Sequence, residues 1–265
     1  MPMPAPVIWL RPRCCSACCC SSVPRSRSVS TGKRSEHGEA TAVAVCVQGQ
    51  PNVPGFFPGA NSSVVNHLQQ CVAGNGEAFI FLWGQTGLGK SHLLHACCHE
   101  AQQQKLSCFY FDLALAAGSS VHLFNDLEAF ELVCLDNVEA IAGHADWEQA
   151  LFNFFNRHRD LGHKLIVSSR TAPKELPIQL PDLKTRLNWG LGLKIQTPDD
   201  TGKTAALIYK ARRMGLEISP QAGRFLLSRA NRDMNSLWRL LDRLDQASLS
   251  AQRKLTIPFL KQILD

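Results

Sequence analysis

The chain has 265 residues, 45% of them hydrophobic, which is enough for one α/β domain, a small second domain and a tail. No apolar run approaches the ~20 residues that span a bilayer, which excludes a membrane-spanning helix and predicts a soluble, cytoplasmic protein. The formal charge of +6 is poor ground for nucleic-acid binding, because residues 1–50 carry six Lys/Arg against two Glu while the remainder carries 22 basic and 20 acidic residues.

Residues 1–50 are rich in Pro, Ser, Arg and Cys and show no sustained period of 2 or 3.6. The first 35 residues hold seven serines and no acid, a composition that also fits a transit peptide. Prolines at 2, 4, 6 and 12 break any early amphipathic helix. The segment is expected to be a disordered or non-native extension. Five of the eleven cysteines crowd into it, at 14, 15, 18, 19 and 20. Cys97, Cys98, Cys108 and Cys134 sit in apolar stretches, where a free thiol acts as a small hydrophobe.

After the tail, the pattern predicts a helix over 62–73, a strand over 78–83 and a loop and helix over 89–103. Next come a strand over 106–111, a short helix over 121–128 and a strand over 130–135. A helix over 146–161 and a strand over 164–168 follow. Short apolar strands alternating with helices imply a parallel sheet covered on both faces. From about residue 200 only helices are expected, over 200–214, 219–230, 233–248 and 256–264. The fold class is therefore α/β, a parallel-sheet core over 54–198 followed by a small α-helical domain over 199–265, an arrangement that resembles the core and lid of AAA+ P-loop ATPases.

The strand at 78–83 runs into Gly84-Gln85-Thr86-Gly87-Leu88-Gly89-Lys90-Ser91. Strand, G-x-x-x-x-G-K-S and helix in that order make a phosphate loop. The glycines let backbone N–H groups turn toward phosphate, and the helix points its positive end at the same anion. Lys90 can reach the β- and γ-phosphates, and the Ser91 hydroxyl can ligate Mg²⁺. The cofactor expected is ADP or ATP with Mg²⁺.

Leu132-Val133-Cys134-Leu135-Asp136 ends a buried strand on a carboxylate, 45 residues after Ser91. That is where a phosphate-loop protein holds Mg²⁺, through Asp136. The next residue is Asn137, and an amide cannot accept a proton as a general base must. Glu139 could substitute, two positions on; intrinsic hydrolysis should be slow. Ser168 and Ser169 end the fourth strand, where a hydroxyl could sense the γ-phosphate, although serine there also suits ordinary turn chemistry. Arg186 stands in a helix-like turn within Leu180–Gly190. Taken alone it reads as a surface salt-bridge residue; presented to a neighbouring subunit, it could stabilise charge in that subunit's transition state.

Phe57-Pro58-Gly59-Ala60-Asn61, the phosphate loop, Leu132–Glu139, Pro173–Leu176, Leu180–Gly190 and Ala251–Phe259 together resemble the DnaA-related AAA+ family, and within it the shorter Hda type. The resemblance covers about residues 54–265. It implies a nucleotide-bound negative regulator of replication initiation, a DNA replication inhibitor that works with the DNA polymerase III sliding clamp (β) to promote ATP hydrolysis on DnaA. Arg186 stands at the position of the arginine that acts in trans, and Asn61 at a nucleotide-binding position. An initiator would continue into a helix-turn-helix domain; the chain ends at Asp265, so no direct sequence-specific DNA binding is expected. Nucleoid association would come through partners, and a homo-oligomer is compatible with the family. The alternative is a DnaA-like ATPase or helicase loader that uses its own hydrolysis.

Three departures from the family pattern stand out. Residues 47–53, Val-Gln-Gly-Gln-Pro-Asn-Val, lack the clamp-binding Gln-Leu-x-Leu-Pro type of motif. Asn235 falls where the initiator has an arginine on its third lid helix, with Arg232 and Arg239 in other helical phases. Arg170 replaces an Asp after the fourth strand.

Overall fold

Five parallel strands, each four to six residues long, form the centre of the protein in the order β2-β3-β4-β1-β5. They are β1 (Phe79–Trp83), β2 (Cys108–Asp112), β3 (Leu132–Asp136), β4 (Lys164–Ser169) and β5 (Leu191–Lys194). The computed structural model describes residues 56–118, 120–229, 233–251 and 257–264. The expected extension over 1–50, the segment 47–53 and Arg232 lie outside these residues.

Side-chain alternation along the strands builds two cores. Ile80, Leu82, Leu132, Cys134, Ile166 and Leu193 face one way and join α1 (Ser62–Val72) and α2 (Lys90–Gln103). Four more helices, α5 (Asp200–Arg213), α6 (Pro220–Arg229), α7 (Met234–Ala251) and α8 (Ile257–Leu264), feed the same core through Leu207, Leu226, Leu241 and Leu260. Phe81, Val133, Leu135, Leu165 and Val167 face the other way, against α3 (Ala145–Asp160) and α4 (Pro181–Leu187). A sheet covered on both faces needs apolar side chains at every strand position, which is why the strands read as continuous apolar runs.

Helix ends follow their local chemistry. The Asp199 carboxylate accepts from Gly202 N at 2.7 Å and caps α5, whose last turn carries Lys210, Arg212 and Arg213 at the negative end of the dipole. Pro181 starts α4, where its missing N–H costs nothing. Two expectations need correction. The helix expected over 121–128 is a pair of 3₁₀ turns, Val121–Phe124 and Leu127–Ala129, separated where Asp126 takes a left-handed conformation at φ 65°. The sheet also has a fifth strand, β5, beside β1. Among the described residues, no helix is long and apolar enough to cross a membrane.

Candidate functional site

The order of the strands puts the C-terminal ends of β1, β3 and β4 side by side, and in open parallel sheets ligands bind at those ends. The loop Gly84–Gly89 leaves β1 there. Gly84 N donates to Ser169 O at 3.2 Å, extending the β1–β4 ladder by one rung. Gly87 and Gly89 take φ of +84° and +88°, which side chains rarely adopt. A Cβ on Gly87 would meet the Asn235 amide at 2.8 Å, so α7 of the lid rests directly on the loop. Leu88 is buried in the core below, while Gln85 and Thr86 are exposed.

Lys90 opens α2 with only 6% of its surface exposed, and its Nζ donates to Gly84 O at 2.6 Å and Gln85 O at 3.1 Å. Burial lowers its pKa, Glu139 and Asp136 act the other way, and Arg170 repels its charge. A buried ammonium with no carboxylate at ion-pair distance among the described residues, set among backbone groups of a glycine loop, suits a polyphosphate anion. The donor set therefore fits a nucleotide phosphate. Ser91, exposed in the first turn of α2, and Asp136 add the oxygen ligands that Mg²⁺ prefers.

Asp136 is fully buried at the end of β3. One oxygen accepts from the Ser168 hydroxyl and from Asn137 N at 3.1 Å; the other accepts from the Tyr110 hydroxyl at 3.0 Å. Burial and the adjacent Asp136 charge raise the Tyr110 phenol well above its ordinary value. The His95 ring packs on Tyr110 with centroids 3.9 Å apart. Sequence reasoning missed Tyr110, which stands on the neighbouring strand and reaches Asp136 only through the sheet register.

Asn137 adopts φ 55°, a left-handed conformation that asparagine tolerates, and its Nδ2 donates to Asp112 Oδ1 at 2.8 Å. Glu139 follows on a 3₁₀ turn; both its carboxylate oxygens are buried and make no hydrogen bond, although Arg170 Nε lies 3.2 Å away. Ser168 is committed to Asp136, and Ser169 Oγ accepts from Thr171 N at 3.2 Å in a turn. Asn61 spends both ends of its amide on the backbone of Gln196, at 3.0 and 2.7 Å, which ties the start of α1 to the segment after β5.

Arg186 lies apart from this cluster, in the last turn of α4 on the other side of the sheet. Buried Leu183 and Leu187 anchor that helix. Its entrance is held by Glu148 of α3, a carboxylate only 1% exposed that accepts from Gly143 N (2.6 Å), Gln179 N (3.0 Å) and Leu180 N (2.7 Å). Sequence reasoning missed Glu148, since an acid in the first turn of an amphipathic helix looks like part of a solvated face. Arg186 itself is half-buried and has no carboxylate partner among the described residues.

A family model described as the bacterial DnaA ATPase domain matches residues 52–194, and one described as the Hda lid domain matches residues 200–264. Among solved structures, domain III of the Thermotoga maritima replication initiation protein DnaA is similar at a TM-score of 0.69 and 18% identity, over 81% of this chain and 95% of that one. AMPPCP-bound DnaA from Aquifex aeolicus is similar at a TM-score of 0.60 and 22% identity, over 72% of this chain and 62% of that one. The Thermotoga maritima RuvB Holliday junction branch migration motor is similar at 0.60 and 14%, over 79% and 69% of the two chains. At these identities the structural likeness is one of fold.

Proposed function

The chain belongs to the DnaA/Hda-related family of AAA+ proteins, and from that membership we propose that it regulates replication initiation by lending Arg186 to the ATP site of DnaA. In this reading it holds ADP or ATP with Mg²⁺ on Gly84–Ser91, engages DnaA together with the sliding clamp, and speeds hydrolysis on DnaA, which inactivates the initiator. Support for the clamp comes from the family alone.

Lys90, the loop N–H groups and the start of α2 bind and orient the phosphates. Ser91 and Asp136 supply oxygen ligands, with Tyr110 and Ser168 fixing the Asp136 carboxylate. A bound Mg²⁺–nucleotide would supply the charge that these groups complement. The observation that carries the proposal is Asn137: the residue after Asp136 is an amide, hydrogen-bonded sideways to Asp112, so it offers no base for hydrolysis in cis. A chain built to hold a nucleotide rather than consume it suits a regulator, and Arg186, on another part of the structure, has no carboxylate partner among the described residues.

The test is ATP turnover by the purified chain alone, and with DnaA plus clamp loaded on DNA, for wild type and Arg186→Ala. Turnover alone should be slow, and the mixture should hydrolyse quickly only with wild type. A finger arginine is worth roughly 10³–10⁵ in rate in well-studied phosphoryl-transfer systems, so the loss should be plain. Arg186→Lys should rescue little, because an ammonium lacks the planar fork that grips phosphate oxygens. Undiminished stimulation by Arg186→Ala would sink the mechanism.

One observation favours a second reading, an ATPase acting by its own hydrolysis. Among the described residues the buried Glu139 oxygens accept no hydrogen bond, which leaves their lone pairs open to a water. Rapid turnover by the chain alone, abolished by Glu139→Gln, would establish that reading instead.

A further inference from the structure

Trp189 follows α4 with 58% of its surface exposed, one of three large hydrophobic side chains so placed among the described residues. Its backbone N–H donates to Arg186 O at 3.0 Å, which closes the last turn and sets the two side chains on one face. The Arg186 guanidinium carbon lies 3.8 Å from the centroid of the indole. The next residue, Gly190, is pressed so close to β1 that a Cβ there would sit 2.6 Å from Phe79 O, so the point from which the indole projects is fixed to the sheet. Arg159 also approaches the ring, at 5.8 Å, but its charge is met by Asp160 at 2.7 Å. Of the two guanidiniums, Arg186 is the one with no carboxylate at ion-pair distance among the described residues.

We propose that Trp189 is a positioning residue for Arg186, its indole face holding the guanidinium in one orientation for the phosphate oxygens of a partner's nucleotide. This rests on the reading of Arg186 given above. Burial does not explain an indole at this position, since the ring adds little to the core. An unstacked arginine samples many rotamers and must be ordered at the moment of use. A cation–π stack at a partly exposed site weights the stacked rotamer by about 2- to 30-fold. Misplacement of a charge-stabilising group by about 1 Å can cost up to about 100-fold in rate, so a pre-set guanidinium acts on the chemical step rather than on assembly.

The experiment measures stimulated hydrolysis by DnaA as a function of chain concentration for the wild type, Arg186→Ala, Trp189→Ala, Trp189→Leu and Trp189→Phe. It is paired with the NMR shift of the Arg186 side-chain protons in the full chain alone. The wild type should show an upfield ring-current shift that Trp189→Ala and Trp189→Leu abolish and Trp189→Phe partly keeps. In the rate assay Trp189→Ala and Trp189→Leu should lower the maximal rate about 3- to 30-fold with the half-saturating concentration moved less than twofold, and Trp189→Phe should recover most of the loss. Wild-type rates with Trp189→Leu, a raised half-saturating concentration at an unchanged maximum, or no ring-current shift in the wild type would each overturn the positioning role. Stimulation that survives Arg186→Ala would overturn the proposed function and the positioning role with it. Stimulation lost in Arg186→Ala but intact in Trp189→Ala would overturn the positioning role alone.

Discussion

Replacing Glu148 with Gln changes one atom of a buried anchor and should be costly. The carboxylate meets three backbone N–H groups, from Gly143, Gln179 and Leu180, with all its nearest contacts at 2.6 to 3.0 Å. A Gln amide keeps one acceptor oxygen and turns an NH₂ toward the other donors. If the oxygen serves Gly143 and Gln179, the Leu180 N–H faces a second donor; if it serves Gln179 and Leu180, Gly143 is left. Either way one N–H is orphaned and the remaining bonds lose their ionic character. A hydrogen bond to a charged group contributes about 1.5–3 kcal/mol and an unsatisfied buried donor costs about 1–3 kcal/mol. Some of the orphaned donor's cost is recovered from water, so the net expectation is a loss of about 2–4 kcal/mol. Urea unfolding should show a lower midpoint at unchanged slope, and hydrogen exchange should quicken over 179–187 first, because Pro181 itself has no N–H with which to hold the helix entrance. A loss below about 0.5 kcal/mol, or exchange unchanged over 179–187, would refute the view that this carboxylate fixes α4.

Three further outcomes are expected. Lys90→Ala should weaken ADP and ATP binding at least tenfold, roughly 1.4 kcal/mol; equal affinities in calorimetry would refute the phosphate-loop assignment. Gly190→Ala forces a methyl against the Phe79 carbonyl, a backbone atom that cannot swing aside, and should cost at least about 2 kcal/mol; an unchanged melting temperature would show that β1 and β5 yield there. Burial lowers the pKa of His92, His95 and His158 below the ordinary 6.5. Between those lowered values and 6.5 the unfolded chain binds protons that the fold refuses, so stability should fall as pH drops through 6.5. His95→Asn should flatten the slope, and stability that is level or rising from pH 7.5 to 5.5 would contradict this.

What the sequence made legible was whatever local chemistry writes. The phosphate loop needs eight consecutive residues and two flanks, all contiguous. Helices α1, α2, α3 and α5 to α8 declared themselves by periodicity and lie within a few residues of their expected bounds. β5 stayed hidden because four residues with a glycine, only one of them buried, carry no pattern of their own; the β1 edge makes them a strand. The expected starts of β2 and β3 were each two residues early, because pairing between the strands, not apolarity, sets where they begin. In the site, Asp136 was legible and its partners were not. Tyr110 precedes it by 26 residues in the chain, and only the sheet brings the two hydroxyl and carboxylate groups together. Glu148 and Trp189 were obscured for a related reason: an acid on a helix and an aromatic after one are ordinary until their contacts are known.

The bond between Asn137 and Asp112 has a consequence for how such a chain could change its trade. Substituting Glu or Asp for Asn137 looks like the shortest route to a self-sufficient hydrolase. Yet Asn137 Nδ2 is the donor to a carboxylate 2.8 Å away, and that same carboxylate oxygen also accepts from Ala114 N at 2.9 Å. An acid at 137 would bring no donor and would set two negative charges face to face. The pair would relax by one acid keeping its proton, and a protonated acid is no better a base than the amide it replaced. If the chain holds its nucleotide rather than hydrolysing it, as proposed above, gaining hydrolysis by this route takes coordinated substitutions at 112 and 137.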